Sequence, residues 1–215
     1  MDCSNRSLYD VPKDIPSNVT KMNLADNKLF NLSETLYWKT SNMTTIDISR
    51  NQISELQQGI FRNNENLMNL DISHNELKYL PEDLISNCSG LRNLHLGYNQ
   101  LSTIPTGFFR ATPNVSYLTM SNNNFEILNK AYFHGLTSIN YLTLSGNRIT
   151  SLPVDVFSEL QLISYLDLSQ NRLSEIPDGM WETNANYHGL QYNICCYREI
   201  TLPSLVTRRF LDCKI

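Results

Sequence analysis

The sequence predicts an α/β-type solenoid, a curved coil carrying a parallel sheet of about eight short strands on its concave face. Three observations predict it. Asparagine recurs at one fixed interval, without insertion or deletion, at Asn27, Asn51, Asn75, Asn99, Asn123, Asn147 and Asn171. One frame precedes each, as in Leu67-Met68-Asn69-Leu70-Asp71-Ile72-Ser73-His74-Asn75 and Ile163-Ser164-Tyr165-Leu166-Asp167-Leu168-Ser169-Gln170-Asn171. Ten residues after each asparagine stands a large apolar side chain: Tyr37, Phe61, Ile85, Phe109, Phe133, Phe157 and Trp181. A fixed period of roughly 20 to 50 residues means that one structural unit is stacked on the next.

Taken in order, residues 1–18 form a partial amino-terminal cap, 19–186 hold seven 24-residue repeats, and 187–215 hold an eighth strand and a carboxyl-terminal cap with cysteines. Within a frame, Asn69, Asp71 and Ser73 alternate with Leu70 and Ile72, the period-2 pattern of a strand with one face buried. Eight such strands at roughly 4.8 Å make a sheet about 35 Å long. The asparagine follows the strand and turns inward, where its amide can satisfy backbone groups of its own turn and of the neighbouring coil. The aromatic column forms a packed spine beneath the convex face. A second inward column runs Thr40, Asn64, Cys88, Thr112, Leu136, Leu160 and Asn184. Pro81, Pro105, Pro153 and Pro177 share one position and suit an extended convex segment, so few or no regular helices are expected there.

The frame Tyr187-His188-Gly189-Leu190-Gln191-Tyr192-Asn193-Ile194-Cys195 places Cys195 on the eighth rung of the ladder. The cysteines otherwise gather at the ends, with Cys3 at one and Cys195, Cys196 and Cys213 at the other. Such clusters suggest disulfide-stapled caps and an oxidising compartment; reduced thiols in a cytosolic repeat protein are the alternative. Cys88 falls in the second inward column and reads as a buried free thiol. Asn-x-Ser/Thr sequons at Asn5, Asn18, Asn31, Asn42, Asn87 and Asn114 are glycosylation candidates, although Asn18, Asn42 and Asn114 share one repeat column and can reflect the repeat itself.

The net charge of −4 is spread without runs of one sign, which argues against a nucleic-acid partner. No stretch approaches the roughly 20 apolar residues of a membrane span, so membrane attachment would come only through segments absent from this chain. Met1-Asp2-Cys3 leads into polar sequence rather than a signal peptide, so an extracellular protein would be represented here as a mature chain or a fragment.

Across 19–186 the frames resemble the 24-residue extracellular class of leucine-rich repeats, which implies a horseshoe that binds ligands. The opening Asp2-Cys3-Ser4, with Val11-Pro12, Ile15-Pro16 and Asn18-Val19-Thr20, resembles the tail of the amino-terminal cysteine cap of such proteins. That cap normally carries further cysteines upstream. The Cys195-Cys196-Tyr197 element resembles the start of the hinge in leucine-rich-repeat G-protein-coupled receptors. The N-P-W-x-C-x-C signature of Toll-like and Slit-like caps is not present. The resemblance therefore implies the ectodomain of a hormone or peptide receptor. A Toll-like or secreted innate-immune protein, and a matrix or scaffold protein, are the alternatives.

No nucleotide loop, metal-spaced His/Cys set or nucleophile motif appears, so neither an enzyme, a metal nor a cofactor is expected. His74 and His95 could approach each other across neighbouring strands, but no carboxylate cluster of ligand spacing accompanies them. Recognition is then read from the outward strand positions. Six residues before each rung the column runs Lys21, Thr45, Asn69, Asn93, Tyr117, Tyr141, Tyr165 and Gly189. The three tyrosines predict a flat amphipathic strip on the concave face, a residue type favoured in binding hot spots. Tyr98, Arg92, His95 and Asp167 border it as further candidates for a protein or peptide ligand. Tyrosine also simply suits an exposed strand position. The oligomeric state is not fixed by any of these features.

Overall fold

The structure, a computed structural model, describes residues 1–32 and 42–180 together with the backbone of 191–193. Eight three-residue strands follow one another: β1 Lys21–Asn23, β2 Thr45–Asp47, β3 Asn69–Asp71, β4 Asn93–His95, β5 Tyr117–Thr119, β6 Tyr141–Thr143, β7 Tyr165–Asp167 and β8 Gln191–Asn193. They form one parallel sheet in sequence order. From β1 to β7 every register pair joins equivalent positions of successive repeats, as in Lys21 opposite Thr45 and Leu142 opposite Leu166. The middle residue of each of these strands (Met22, Ile46, Leu70, Leu94, Leu118, Leu142, Leu166) is buried. Its two neighbours look outward onto the concave face. One core runs the length of the solenoid, with the spine residues Phe61, Ile85, Phe109, Phe133 and Phe157 all buried within it. Tyr37, Trp181, Thr40 and Asn184 lie outside the described residues.

The asparagine ladder does what its position predicts. Asn99 Nδ2 donates to the carbonyls of Leu96 at 3.2 Å and Gly97 at 3.4 Å in its own coil and of Ile72 at 3.0 Å in the preceding one. Its Oδ1 accepts from Leu77 N at 3.0 Å. Asn51, Asn75, Asn123, Asn147 and Asn171 repeat the pattern. Asn27 makes it with the cap, donating to Cys3 O and accepting from Leu8 N. The residue just before each rung has positive φ: Asp26, Arg50, His74, Tyr98, Asn122, Gly146 and Gln170. Only a left-handed residue there swings the asparagine inward, and each non-glycine pays about 1–2 kcal/mol for it.

The cap continues the same grammar. Asp2 bridges Asn23 in parallel, which adds one more rung to the sheet edge. Asp2 Oδ1 accepts from Ser4 N at 3.0 Å and Ser4 Oγ at 2.7 Å. Asp47 holds Ser49, and Asp71 holds Ser73, in the same way. Asp2-Cys3-Ser4 is therefore a strand frame, and Cys3 fills the buried inward position that Ile48 and Ile72 fill elsewhere.

Two expectations are corrected. The convex segments are not extended. They are chains of tight turns, as in coil 75–98, where Leu84 N bonds Pro81 O, Ser86 N bonds Asp83 O and Cys88 N bonds Ile85 O. The shared proline carbonyl opens this run at Pro81, Pro105, Pro153 and Pro177. Asn129 takes that place in its coil and caps the short 3₁₀ helix Lys130–Phe133. Turns win because a narrow convex side must return its chain to the next strand within one repeat, and an extended run would overshoot. The second correction concerns the eighth rung. Tyr165 pairs with Gln191, whereas the repeat period would put its partner at Gly189. The step from β7 to β8 is therefore two residues longer than the others. Cys195, Cys196 and Cys213 themselves lie outside the described residues.

Asn99→Ala leaves three carbonyls and one buried N–H without their partner. Chemical denaturation should show a loss of roughly 2–4 kcal/mol, a sum of buried-group penalties. Gly135 and Gly59 both have positive φ, but a Cβ on Gly135 meets Phe109 O at 2.8 Å and Arg110 Cα at 2.9 Å, whereas on Gly59 the nearest atom is the flexible Arg62 Cδ at 3.5 Å. Gly59→Ala should therefore cost only about 1–2 kcal/mol of left-handed strain. Gly135→Ala should lose roughly 1–3 kcal/mol more from the backbone collision. Equal losses at the two sites would refute the close approach of coils at Gly135.

Candidate functional site: the concave face

The outward residues of the seven described frames divide the concave face into two halves. In the amino-terminal half the first outward column is polar and bonded to itself. Asn69 Nδ2 reaches Thr45 Oγ1 at 3.3 Å, and Asn93 Nδ2 donates to Asn69 Oδ1. In the carboxyl-terminal half the same column is aromatic. Tyr117 and Tyr141 stack with centroids 4.2 Å apart and planes 6° from parallel; Tyr141 and Tyr165 stack at 4.4 Å and 1°. His95 extends the row, tilted 49° against Tyr117 at 5.4 Å.

This geometry corrects the expected flat strip. The rings face one another along the solenoid axis, because strand spacing of about 4.8 Å is close to the stacking distance of aromatic rings. Their faces cover each other, and a ridge of ring edges and phenol oxygens remains for a partner. The three tyrosines are accordingly half-buried rather than exposed. Burial, with the neighbouring phenols adding to it, pushes the Tyr141 phenol well above its ordinary range.

Beside the ridge lies a net of hydroxyls. Ser121 Oγ and Thr143 Oγ1 are 2.6 Å apart, Thr143 Oγ1 and Ser145 Oγ 3.2 Å, and Ser145 Oγ donates to Ser121 Oγ at 3.0 Å. Asp167 joins it through Oδ2 at 3.5 Å from Thr143 Oγ1, while its Oδ1 holds Ser169 N at 2.9 Å. Asp167 therefore has a structural task, the one that Asp47 and Asp71 have in their frames. His95 Nδ1 lies 3.4 Å from Thr119 Oγ1.

Tyr98 does not belong to the ridge. It occupies the left-handed position before Asn99 and stacks on His74, with centroids 4.0 Å apart and planes 9° from parallel. His74 and His95 each lie against a tyrosine of the next coil. Burial, with Arg50 nearby, lowers the His74 pKa despite Asp71 and Asp26. The sequence reading missed His74 as a surface aromatic. The signal was available in its place directly before the rung, one coil from Tyr98. Arg92 sits exposed just before β4 and makes no ion pair among the described residues. No group of three or more His, Cys, Asp or Glu able to hold a metal occurs among the described residues.

Of the cysteine and sequon candidates, Cys3 and Cys88 are buried free thiols. Burial pushes the Cys88 thiol up to about 12. Asn5, Asn18, Asn31, Asn42, Asn87 and Asn114 are all exposed. Asn42, Asn87 and Asn114 each donate to a carbonyl of the preceding coil, at Ser17, Arg62 and Ser89.

Comparison with known proteins agrees with this geometry. The family pattern described as leucine rich repeat matches residues 41–101, 89–149 and 140–186. Among solved structures, the chain is similar to that of the TLR13–ssRNA13 complex, with a TM-score of 0.78 and 26% identity over 86% of this chain and 26% of that one. It also shares its fold with the Toll–Spatzle complex of Drosophila, with a TM-score of 0.78 and 22% identity over 86% of this chain and 24% of that one. The chain thus spans about a quarter of the length of either. No curated protein sequence matches it. By its repeats, its ladder and its sheet, the chain belongs to the leucine-rich-repeat family.

Proposed function

We propose that this chain is the ligand-recognition part of an extracellular or cell-surface leucine-rich-repeat receptor, and that it binds a protein or peptide on its concave face. The observation that carries the reading is the Tyr117–Tyr141–Tyr165 stack. Packing does not require tyrosine at an outward position, and a preordered aromatic ridge loses little entropy on binding. The TLR13 complex contains single-stranded RNA. Here the net charge of −4 and the acidic Asp47 and Asp71 of the concave face favour a protein partner instead. His95 continues the ridge beyond Tyr117, Asp167 lies beside it bonded to Thr143 and Ser169, and Arg92 is a contact at its rim. Tyr98 with His74 forms a second, smaller contact.

Two receptor classes fit this reading. The Cys195-Cys196-Tyr197 element favours a hormone or peptide G-protein-coupled receptor, and the likeness to the TLR13 and Toll structures favours a Toll-like receptor. Coding sequence downstream of residue 215 separates them: seven apolar helices in the first case, one span followed by a signalling domain in the second. The exposed sequons are glycosylation sites in this reading, and cysteines of the carboxyl-terminal cap are oxidised, whereas Cys3, expected as a disulfide partner, is a free thiol.

Tyr141→Ala should weaken ligand binding by on the order of 2 kcal/mol, because it removes the central ring and unstacks both neighbours. Calorimetry against the ligand checks this, and unchanged affinity after alanine at Tyr117, Tyr141 and Tyr165 together rejects the ridge. In the denatured, unreduced chain from an oxidising host, fewer than five cysteines should titrate. Cys88 should be among those that do, and it should be silent at pH 8 before denaturation. Five reactive thiols would place the protein in a reducing compartment.

A further inference from the structure

Polar groups about the tyrosine ridge divide by kind. The acceptors are occupied within the fold: Asp167 Oδ1 holds Ser169 N at 2.9 Å, and its Oδ2 lies 3.5 Å from Thr143 Oγ1. Ser121, Thr143 and Ser145 close their hydroxyl net on one another. The ridge itself offers the opposite sign. Both faces of the Tyr141 ring are covered by parallel neighbours, at 4.2 and 4.4 Å, so no cation can lie over it. What stays open is ring edge, the positive side of an aromatic quadrupole, and phenol O–H. Three hydroxyls that donate along their own row use two of their hydrogens, and the third is left for a partner at one end.

The two ends of the row differ. Asp167 shares a strand with Tyr165 at one end, and its oxygens are already bonded. At the other end stands Arg92. Its carbonyl accepts from Ser116 N at 2.9 Å and Tyr117 N at 3.0 Å, which sets its backbone against the start of β5. Its side chain is exposed and makes no ion pair among the described residues. In the frames that carry β4 to β7, Arg92 is the only lysine or arginine. One guanidinium fork suits one carboxylate, whereas a phosphate backbone takes several cations.

On the reading of the concave face as the ligand site, the geometry points to a carboxylate site at the Tyr117 end of the ridge, filled by an aspartate or glutamate side chain of the protein partner. The Arg92 fork and the Tyr117 O–H both donate to that carboxylate. The hydroxyl row then runs from Tyr165 through Tyr141 to Tyr117, each bond strengthening the next. The outward column continues on both sides of Tyr117, to Asn93 and to Tyr141, so a partner chain passes through rather than ending there. That favours an acidic side chain over a chain-terminal carboxylate. A lysine or arginine of the partner finds neither an open ring face nor a free acceptor at this place.

The test follows ring-labelled tyrosines of the whole chain by NMR at constant ionic strength, with Tyr117 assigned by its loss in Tyr117→Phe. N-acetyl-glutamate α-amide is expected to shift the Tyr117 and Tyr141 signals saturably, and N-acetyl-lysine amide is not. N-acetyl-alanine, whose only carboxylate is that of a chain end, should bind more weakly than the glutamate probe. Arg92→Gln should weaken the glutamate probe about tenfold. Tyr117→Phe, read on the Tyr141 signals, should weaken it about threefold or more. Arg92→Glu should lose the glutamate probe and gain the lysine probe, a rescue that a misfolded chain cannot give. Equal shifts with both probes, an unaffected Arg92→Gln variant, tighter binding of N-acetyl-alanine, or a larger response to inorganic phosphate would overturn the proposal. Partner affinity that falls with the tyrosine-to-alanine substitutions, while the glutamate probe leaves Tyr117 unmoved, would remove the carboxylate site and keep the ridge. A responding probe with a partner insensitive to those substitutions would remove the ridge as the ligand site instead.

Discussion

Everything in this chain depends on how a buried turn satisfies its backbone. A coil stacked between two others has no water at the point where its strand ends, and unpaired carbonyls there would each cost about 1–3 kcal/mol. One carboxamide resolves this for two coils at once. Its Oδ1 reaches the N–H 22 residues back, and its Nδ2 the carbonyl 27 residues back, as in Asn75 with Ile53 and Ile48. The ladder fixes the turn rather than the length of the coil, because Asn27 makes the same two bonds across a shorter cap coil, accepting from Leu8 N 19 residues back and donating to Cys3 O 24 residues back. The sheet lengthens its interval at β8, after the last asparagine of the series.

The ladder also explains residues that look misplaced. Arg50, His74, Tyr98 and Gln170 are poor choices for positive φ, yet each stands in it. The strain persists because the N–H groups of Arg50, His74 and Tyr98 are bonded to the next coil, as His74 N is to Gly97 O at 2.9 Å, and because the rung behind each is held on several sides. A position that must be left-handed but is otherwise unconstrained can therefore take an aromatic side chain. That is how Tyr98 and His74 come to lie one above the other.

The repeat made most of the fold legible. Its fixed period set the strands, alternation set Met22 through Leu166 as their buried centres, and the chemistry of asparagine set the ladder. What could not be read had physical causes. Prolines at a common position are compatible with both turns and extended chain, and closure of the narrow coil chose turns. The longer step to β8 has no mark in a frame that still scans as Tyr187 to Cys195. At the site, the sequence showed that Tyr117, Tyr141 and Tyr165 share a face but not which way their rings turn. Ring orientation is decided between coils, by a strand spacing near the stacking distance, and no single repeat contains that information. Asp167 likewise reads as a free charge until its bonds to Ser169 and Thr143 are seen.

A repeat of this kind separates its surfaces by how freely each column can vary. Inward columns serve the core and the ladder. The last two outward columns of the strand are partly committed, since Asp, Thr and Ser there close turns or bond across coils. The first outward column carries the least structural duty, and there the chain changes from Lys21, Thr45, Asn69 and Asn93 to three consecutive tyrosines. That change cannot arise from the needs of a single coil, because the coils on both sides of it have the same ladder, the same buried strand centre and the same spacing. It requires neighbouring coils to share one choice, and stacking gives them an energetic reason to do so, worth about 0.5–1.5 kcal/mol per pair. Stacking alone would equally favour extending the row toward β1. The row stops at His95 and Tyr117, in the middle of the sheet, so stacking between neighbours does not by itself set its length.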